Sequence, residues 1–271
     1  MSKESQDKYA VKVLKTNKDE LFQPQCCESG VLPKLPFSCQ AIGRSGSGKT
    51  MAIFNMLSNE NMLKDAFDYV YIWAGVKVDP EMVEVLDLPD EQVKNKWEES
   101  DVEKLIDKLE KSVEKNGIKN TPSVLFIFDD ILGRPKFLKS KTMTKLFTLN
   151  RHLNLSVIIM SQYFKKLSPV IRTNASYTLF FPASSAEVDK LAEEMCPANM
   201  TKNEFKEIVE YATNEEYQFL GINSKAKCGE QLRKGFGKII HTNKNCERSK
   251  KDKEKLPPID EEEEEEEDFS F

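Results

Sequence analysis

The chain has 271 residues, of which 39% are hydrophobic, so it is long enough to fold around one sizeable core. No run of about eighteen apolar residues occurs, and the polar start Met1–Gln6 lacks the apolar segment of a secretory signal. The formal net charge of −5 hides an asymmetry, because the acidic run Asp260–Asp268 leaves the rest of the chain at about +4. We therefore expect no membrane span, and the mildly basic body is compatible with a nucleic-acid partner.

The chain begins with residues 1–34, which we interpret as an irregular leader. A weak alternation over Tyr9–Leu14 favours at most one edge strand. The six cysteines form no Cys-x-x-Cys pair, and without a secretory signal we expect them to be reduced thiols.

A phosphate-binding motif follows the leader. It matches the pattern G-x-x-x-x-G-K-[ST] and consists of Gly43, Arg44, Ser45, Gly46, Ser47, Gly48, Lys49 and Thr50. It lies between a short apolar strand at 35–42 and an apolar helix at 51–57, which is the context that this motif needs. Glycines let backbone N–H groups surround a phosphate. We expect Lys49 to bind the β- and γ-phosphates of a nucleoside triphosphate and the Thr50 hydroxyl to bind Mg²⁺.

Between this motif and the next one, the sequence predicts a strand and a charged helical region. Phe67–Ala74 is rich in aromatic and β-branched residues, which is typical of a strand. Residues 79–121 are charged and mostly helical. Apolar residues fall there at helical spacing, namely Val102, Leu105, Ile106, Leu109 and Val113. We expect this helix to pack on a sheet with its charged face in water.

A second motif ends the predicted strand Ser123–Asp130. Five consecutive apolar residues precede the two carboxylates, which indicates a strand buried on both faces, as in a parallel sheet. Carboxylates at the end of such a strand are costly unless they have a role. This is the form of a Walker B strand, in which Asp129 holds Mg²⁺ through water and Asp130 orients or deprotonates the attacking water.

The next predicted strand, Leu155–Gln162, follows a basic amphipathic helix predicted at 136–152. The strand ends in a polar residue, and we expect this end to lie beside the tip of the strand that leads into the phosphate-binding motif. We therefore interpret Gln162 as a sensor of the γ-phosphate.

Arg172 precedes the strand predicted at 177–181. A lone arginine is usually a surface charge. In a chain that also has a phosphate-binding motif and a Walker B strand, Arg172 is also a candidate arginine finger. Such a residue enters a neighbouring subunit's site and neutralises charge on the phosphoryl group. Arg151 is the competing candidate for this role.

The last part of the chain contains two predicted helices, at 186–195 and 202–212, and a strand at 217–223. Residues 232–240 are predicted to pair with that strand as a late antiparallel edge hairpin. Residues 244–271 are first basic and then acidic, and we expect a disordered tail. The predicted domains are therefore a leader at 1–34, a P-loop domain at 35–243 and the tail at 244–271.

The motifs separate some classes of P-loop protein. The chain lacks the N-K-x-D motif that reads guanine, although Asp130–Gly133 matches the D-x-x-G pattern of GTPases, and it has no L-S-G-G-Q stretch of transporter ATPases. Asp129 stands about 80 residues after Lys49, with the strand predicted at 67–74 between them in the sequence. This arrangement is typical of a RecA-like α/β fold with a central, mostly parallel sheet flanked by helices.

Five segments together resemble the genome-packaging ATPases of large double-stranded DNA viruses, including the poxvirus type and relatives in virophages, within the FtsK/HerA superfamily. These segments are Gly43–Thr50, Leu125–Asp130, Arg151-His152, Ser161-Gln162 and Ile171–Asn174. The resemblance covers roughly residues 35–240. Asp130 stands where the superfamily often has Glu, so its carboxylate is one methylene closer to the backbone.

The resemblance implies a homo-oligomeric ring that hydrolyses ATP with Mg²⁺ and threads double-stranded viral DNA into a capsid through a portal or vertex. The chain would then work in an infected cell, a viral factory or the virion. In that role Lys165 and Lys166 are candidates for contact with DNA phosphates, although a solvated pair fits the sequence equally well. The implied site consists of Lys49 and Thr50 for ATP–Mg²⁺, Asp129 for Mg²⁺, Asp130 as catalytic carboxylate, Gln162 as sensor and Arg172 as finger.

Two alternatives remain open at this point. One is a DNA translocase or helicase in replication or segregation, which shares the same motifs. The other is a nucleotide-binding scaffold that docks on capsid proteins through the acidic tail and turns over little ATP.

Overall fold

The structure is a computed structural model that describes residues 31–75, 78, 80–94, 98–130 and 135–242. The strand predicted at Tyr9–Leu14 and the tail predicted at 244–271 lie outside these residues. Within the described ranges, no helix is both long enough and apolar enough to cross a bilayer.

One mixed sheet of nine strands organises the described part of the chain, in the order β3-β2-β4-β5-β1-β6-β7-β8-β9. The six strands from β3 to β6 in this order are parallel, and the last three are antiparallel. In chain order the strands are β1 (Ser38–Ile42), β2 (Tyr69–Ala74), β3 (Val93–Lys94), β4 (Val124–Asp129), β5 (Leu155–Ser161), β6 (Tyr177–Phe180), β7 (Leu220–Asn223), β8 (Leu232–Lys234) and β9 (Lys238–Ile240). The mostly parallel sheet with a late antiparallel edge confirms the predicted fold class.

Helices connect the strands. They are α1 (Lys49–Ser58), α2 (Pro80–Val85), α3 (Glu99–Asn116), α4 (Pro135–Leu138), α5 (Lys141–Leu149), α6 (Pro169–Asn174), α7 (Ser185–Met195) and α8 (Lys202–Thr213). Parallel neighbours require crossovers of this kind, because the chain must return to the same end of the sheet before each new strand.

Both faces of the sheet are buried, which explains why the central strands are almost wholly apolar. Along β4, Phe126 and Phe128 face one core with α3, α5, α7 and α8, while Leu125 and Ile127 face the other core with α1. Trp73 of β2 stacks on Phe128 with ring centroids 5.1 Å apart, so the strand that carries the two carboxylates is held by aromatic packing up to its last residues.

The helical regions are more divided than the sequence predicts. In the region 79–121, α2 ends where Asp87 takes φ +47° ahead of Pro89, a short strand β3 follows, and only then does α3 begin. The helix predicted at 136–152 is split into α4 and α5. Ser140 separates them, because its hydroxyl accepts the Met143 N–H at 3.2 Å and caps the start of α5.

The late antiparallel edge contains three strands instead of two. Gly235, at φ +61°, turns the chain within the segment predicted as a single strand at 232–240 and separates β8 from β9.

The described cysteines are in different states. Cys39 and Cys196 are free thiols, and burial raises the pKa of both. Cys228 is disulfide-bonded, so the expectation of reduced thiols throughout is wrong for this residue.

Candidate active site

Three strand ends bring the predicted motifs together. β5 lies between β4 and β1, and Ile42 at the end of β1 is paired with Ser161 at the end of β5. The residues that follow these strands therefore meet at one edge, where ligands of open α/β sheets bind. The strand that separates the two motifs in space is thus β5. The strand that separates them in the sequence, β2, lies on the outer side of β4.

The phosphate-binding loop, Gly43–Thr50, is shaped by its glycines. A Cβ on Gly43 would lie 2.5 Å from Phe181 Cβ and 2.7 Å from Ser47 Oγ, so no side chain fits there. Gly46 and Gly48 have φ of +72° and +94°, a conformation that other residues rarely adopt. Gly48 is the N-cap of α1, so the loop leads directly into the positive end of a helix.

Lys49 lies across the mouth of this loop. Its ammonium donates to the carbonyl oxygens of Gly43 and Arg44, both at 2.8 Å, and its side chain is buried. Burial lowers the pKa of Lys49, while the carboxylates of Asp129 and Asp130 raise it. The lysine is therefore within electrostatic reach of both Walker B carboxylates.

A buried hydroxyl in the loop supports a polar ligand. Ser47 Oγ is buried and has no hydrogen-bond partner among the described residues. Such a group is costly unless something satisfies it. The orphaned hydroxyl, the side-chain-free Gly43 and the helix N-terminus together fit the phosphates of a nucleotide.

Asp129 and Thr50 form the predicted metal-binding pair. Burial raises the pKa of Asp129 and the neighbouring Asp130 raises it further, whereas Lys49 and a hydrogen bond with the Thr50 side chain lower it. A carboxylate and a hydroxyl in contact are oxygen ligands of the kind that Mg²⁺ prefers, so these two residues fit the ion.

Asp130 contacts the predicted sensor directly. Gln162 Nε2 donates to Asp130 Oδ2 at 3.1 Å and to Oδ1 at 3.3 Å. Asp130 has φ +48°, which is uncommon for a residue with a side chain and is tolerated best by Asn and Asp. The left-handed backbone turns Asp130 away from the line of β4 and toward the end of β5.

Gly75 also lies beside the two carboxylates, and no motif of the sequence includes it. A Cβ on Gly75 would lie 2.7 Å from the carbonyl oxygen of Asp130, and the Gly75 N–H donates to the carbonyl of Asp129 at 2.9 Å. The glycine therefore lets the end of β2 approach the turn that carries both carboxylates. Its position directly after a predicted strand was the available signal.

The two arginine-finger candidates lie elsewhere. Arg172, on α6, forms a two-point ion pair with Glu194 at 2.7 and 2.8 Å and also donates to the carbonyl of Leu167. α6 leads into the amino end of β6, at the sheet edge opposite the loop. Arg151 is exposed in the turn before β5, at that same opposite edge. Neither arginine is brought to the P-loop of its own chain.

The fold and this edge define a class: an α/β P-loop protein whose glycine-rich loop, paired carboxylates and Gln162 converge at the ends of β1, β4 and β5. The chain belongs to the family described as "Poxvirus A32 protein", whose model matches residues 28–251.

Curated relatives agree with this family. The chain is 25% identical over 182 residues to the DNA packaging protein OPG160 of Vaccinia virus (strain Copenhagen), covering 64% of this chain and 63% of the relative. It is also 25% identical over 182 residues to the protein of the same name in Monkeypox virus, covering 64% and 57%. The chain thus spans about three-fifths of the length of these relatives.

Solved structures share the fold. The genome packaging NTPase B204 from Sulfolobus turreted icosahedral virus 2, in complex with ATP-gammaS, matches with a TM-score of 0.51 at 19% identity. The match covers 73% of this chain and 94% of that chain. The same NTPase in complex with AMP gives a TM-score of 0.51 over 70% of this chain and 93% of that chain.

Proposed function

We propose that this chain is an ATP-hydrolysing motor that moves viral double-stranded DNA into a capsid. The observation that carries the proposal is the convergence of Lys49, Asp129, Asp130 and Gln162 at one sheet edge, in a member of a family whose relatives are named DNA packaging proteins. The residues at this edge support binding and hydrolysis of ATP, and the family supports the role in DNA packaging.

The loop and Lys49 bind the phosphates of ATP in this proposal. Backbone N–H groups of the loop and the N-terminus of α1 supply partial positive charge, and the Ser47 hydroxyl gains a partner. The Lys49 ammonium, which contacts two loop carbonyls, would exchange them for oxygens of the β- and γ-phosphates when ATP binds.

Thr50 and Asp129 would hold Mg²⁺, which when bound would supply positive charge to the phosphate oxygens. Asp130 then orients and deprotonates the water that attacks the γ-phosphorus. Both Asp130 oxygens accept from the Gln162 amide. Asp130 must therefore release Gln162, or bind Gln162 and the water together, when the water is in place.

The same amide couples the chemistry to the next loop. Gln162 is followed directly by exposed Tyr163, then Lys165 and Lys166, and Lys166 Nζ lies 4.3 Å from the centre of the Tyr163 ring. Buried Phe164 anchors the loop in the core. A shift of Gln162 on loss of the γ-phosphate would therefore move two exposed cations, which contact DNA phosphates without reading sequence.

Assembly and location complete the proposal. A ring of identical subunits surrounds the DNA and docks on a capsid or portal protein, and Arg172 or Arg151 of one subunit completes the site of the next. The motor works in the infected cell, at the viral factory or on the virion.

The test is ATP hydrolysis with and without double-stranded DNA. The Lys49→Ala variant is compared with the wild type and with Lys108→Ala, which removes an exposed lysine of α3. We expect DNA to stimulate hydrolysis in the wild type and in Lys108→Ala, and Lys49→Ala to abolish it. ATP binding without hydrolysis at any protein concentration would refute the motor and support the scaffold alternative.

A further inference from the structure

The P-loop has a neighbour on the side away from its carboxylates. β7 runs antiparallel to β6, so its amino end lies at the same sheet edge as the carboxyl end of β1. Tyr217, three residues before β7, therefore reaches the loop. A Cβ on Gly48 would lie 3.1 Å from Tyr217 Cδ1 and 3.3 Å from Tyr217 Cβ. The tyrosine lies beside the start of α1, on the flank opposite Asp129 and Asp130.

Tyr217 is held there in an unusual way. The sequence predicts it as the first residue of a strand, but it has φ +62°, a rare conformation for a bulky residue. Strained backbone of this kind persists only where the surrounding structure enforces it, and it clusters at functional sites. Two residues further on, the buried ring of Phe219 packs against those of Phe181 and Phe236, with both centroid distances at 4.9 Å, so the chain that follows Tyr217 is fixed in the core.

The position is open as well as fixed. Tyr217 is 59% exposed although it lies against the P-loop, so the residue is open to solvent at this edge. An exposed large aromatic side chain is common by itself. An exposed aromatic ring fixed against a phosphate-binding loop has the properties of a stacking platform, since every nucleotide base has a flat π-face.

The direction of the bound nucleotide leads to the same residue. The γ-phosphate must point toward Asp130 and Gln162 on the β5 side of the loop for hydrolysis to occur. A nucleotide laid along this sheet edge in that direction would place its base on the β6–β7 side of the loop, where Tyr217 lies beside Gly48. We propose that the Tyr217 ring stacks on the base of the bound nucleotide. This inference rests on the proposed function, because it assigns a base-binding residue to the same site.

The test compares a ligand that has a base with one that lacks it. Calorimetry measures Mg²⁺-ATP and Mg²⁺-tripolyphosphate binding to the wild type, Tyr217→Ala, Tyr217→Asn and Tyr217→Phe. Asn is included because it tolerates positive φ and so keeps the local backbone. Tyr69→Ala is the matched control, since Tyr69 is 46% exposed and lies at the amino end of β2, at the opposite sheet edge.

We expect Tyr217→Ala and Tyr217→Asn to weaken ATP binding by about tenfold and to leave tripolyphosphate binding unchanged. Tyr217→Phe and Tyr69→Ala should bind both ligands like the wild type. Unchanged ATP binding in both Tyr217→Ala and Tyr217→Asn would overturn the inference and leave the nucleotide site intact. Equal weakening of both ligands would also overturn it, because Tyr217 would then act only on the shape of the loop. Failure of the wild type to bind either ligand would refute the nucleotide site itself.

Discussion

At the scale of single residues, Asp129 and Asp130 are adjacent in the chain but differ in backbone and surroundings. Asp129 ends β4 in extended conformation and is paired with Ala74, whereas Asp130 has φ +48° and accepts from Gln162. One carboxylate therefore stays with the Thr50 hydroxyl, and the other turns to the neighbouring strand. This division supports separate roles in metal binding and in the activation of water.

Asp130→Asn tests the second role without changing the backbone, because Asn also tolerates positive φ. We expect hydrolysis to fall by about 10² to 10⁴-fold, since a general base is lost, while ATP binding stays within a factor of about two. Single-turnover hydrolysis and equilibrium binding measure the two effects separately. Hydrolysis at the wild-type rate would show that another group activates the water.

A substitution at Gly75 tests how closely the end of β2 must approach the turn formed by Asp129 and Asp130. In Gly75→Ala the new methyl group would lie 2.7 Å from the Asp130 carbonyl oxygen, so the turn must move. We expect a loss of about 1–3 kcal/mol in the free energy of unfolding and slower hydrolysis with ATP binding retained. Chemical denaturation and hydrolysis rates check this.

Gly237→Ala is the control for that change, because a Cβ there meets no atom within 4 Å. If Gly75→Ala were as stable and as active as Gly237→Ala, the close approach of Gly75 to the Asp130 carbonyl oxygen would not matter for stability or hydrolysis.

At the scale of elements, β5 joins the candidate active site to an exposed loop. It lies between the P-loop strand and the Walker B strand, all seven of its residues are buried, and its end passes into Gln162 and the loop of Tyr163, Lys165 and Lys166. The backbone N–H of Lys165 also donates to Glu187 of α7 at 3.1 Å. The loop thus contacts both the end of β5 and α7, while its lysine side chains stay in water.

The double variant Lys165→Ala/Lys166→Ala tests whether this loop contacts DNA. We expect basal ATP hydrolysis to stay at the wild-type rate, DNA stimulation to fall, and the slope of log affinity against log salt to become shallower by about two. Lys104→Ala/Lys108→Ala, on the exposed face of α3, is the control for lost charge. An unchanged salt dependence would place the DNA contact on another loop.

At the scale of the whole molecule, neither arginine-finger candidate lies at the P-loop edge of its own chain. Arg172 is only 10% exposed and is bound by Glu194, and α6 lies at the edge opposite the P-loop. A finger role in trans would therefore require that subunits pack with opposite sheet edges in contact and that the pair with Glu194 open. Arg151, already exposed, needs no such release.

Mixing experiments decide between the two arginines. Arg172→Ala or Arg151→Ala subunits are mixed with Lys49→Ala subunits, and hydrolysis is compared with each variant alone. Restored activity is expected for the arginine that acts in trans, because an intact loop then meets an intact finger across an interface. Thermal unfolding of Arg172→Ala is measured in parallel, since loss of the Glu194 pair lowers stability for a purely structural reason. Full activity of Arg172→Ala alone would exclude Arg172 from the role.

Local patterns in the sequence were sufficient to predict most of the sheet and both motifs. The P-loop depends on glycines whose spacing is directly visible, and β4 and β5 are apolar runs that require burial on both faces. Helix boundaries were less predictable, because the break at Ser140 depends on one capping hydrogen bond and the end of α2 on one left-handed residue.

The contacts between distant segments were decided only by the tertiary structure. The approach of Gly75 to Asp130 and that of Tyr217 to Gly48 each join segments that are far apart in the chain. The local periodicity of the sequence therefore could not predict either contact. The ion pair of Arg172 with Glu194 also joins distant segments, because α7 brings Glu194 to Arg172. The sequence by itself predicted which residues would bind a nucleotide and Mg²⁺. The order of the strands decided which of these residues meet, because neighbouring parallel strands place their carboxyl ends at one edge of the sheet.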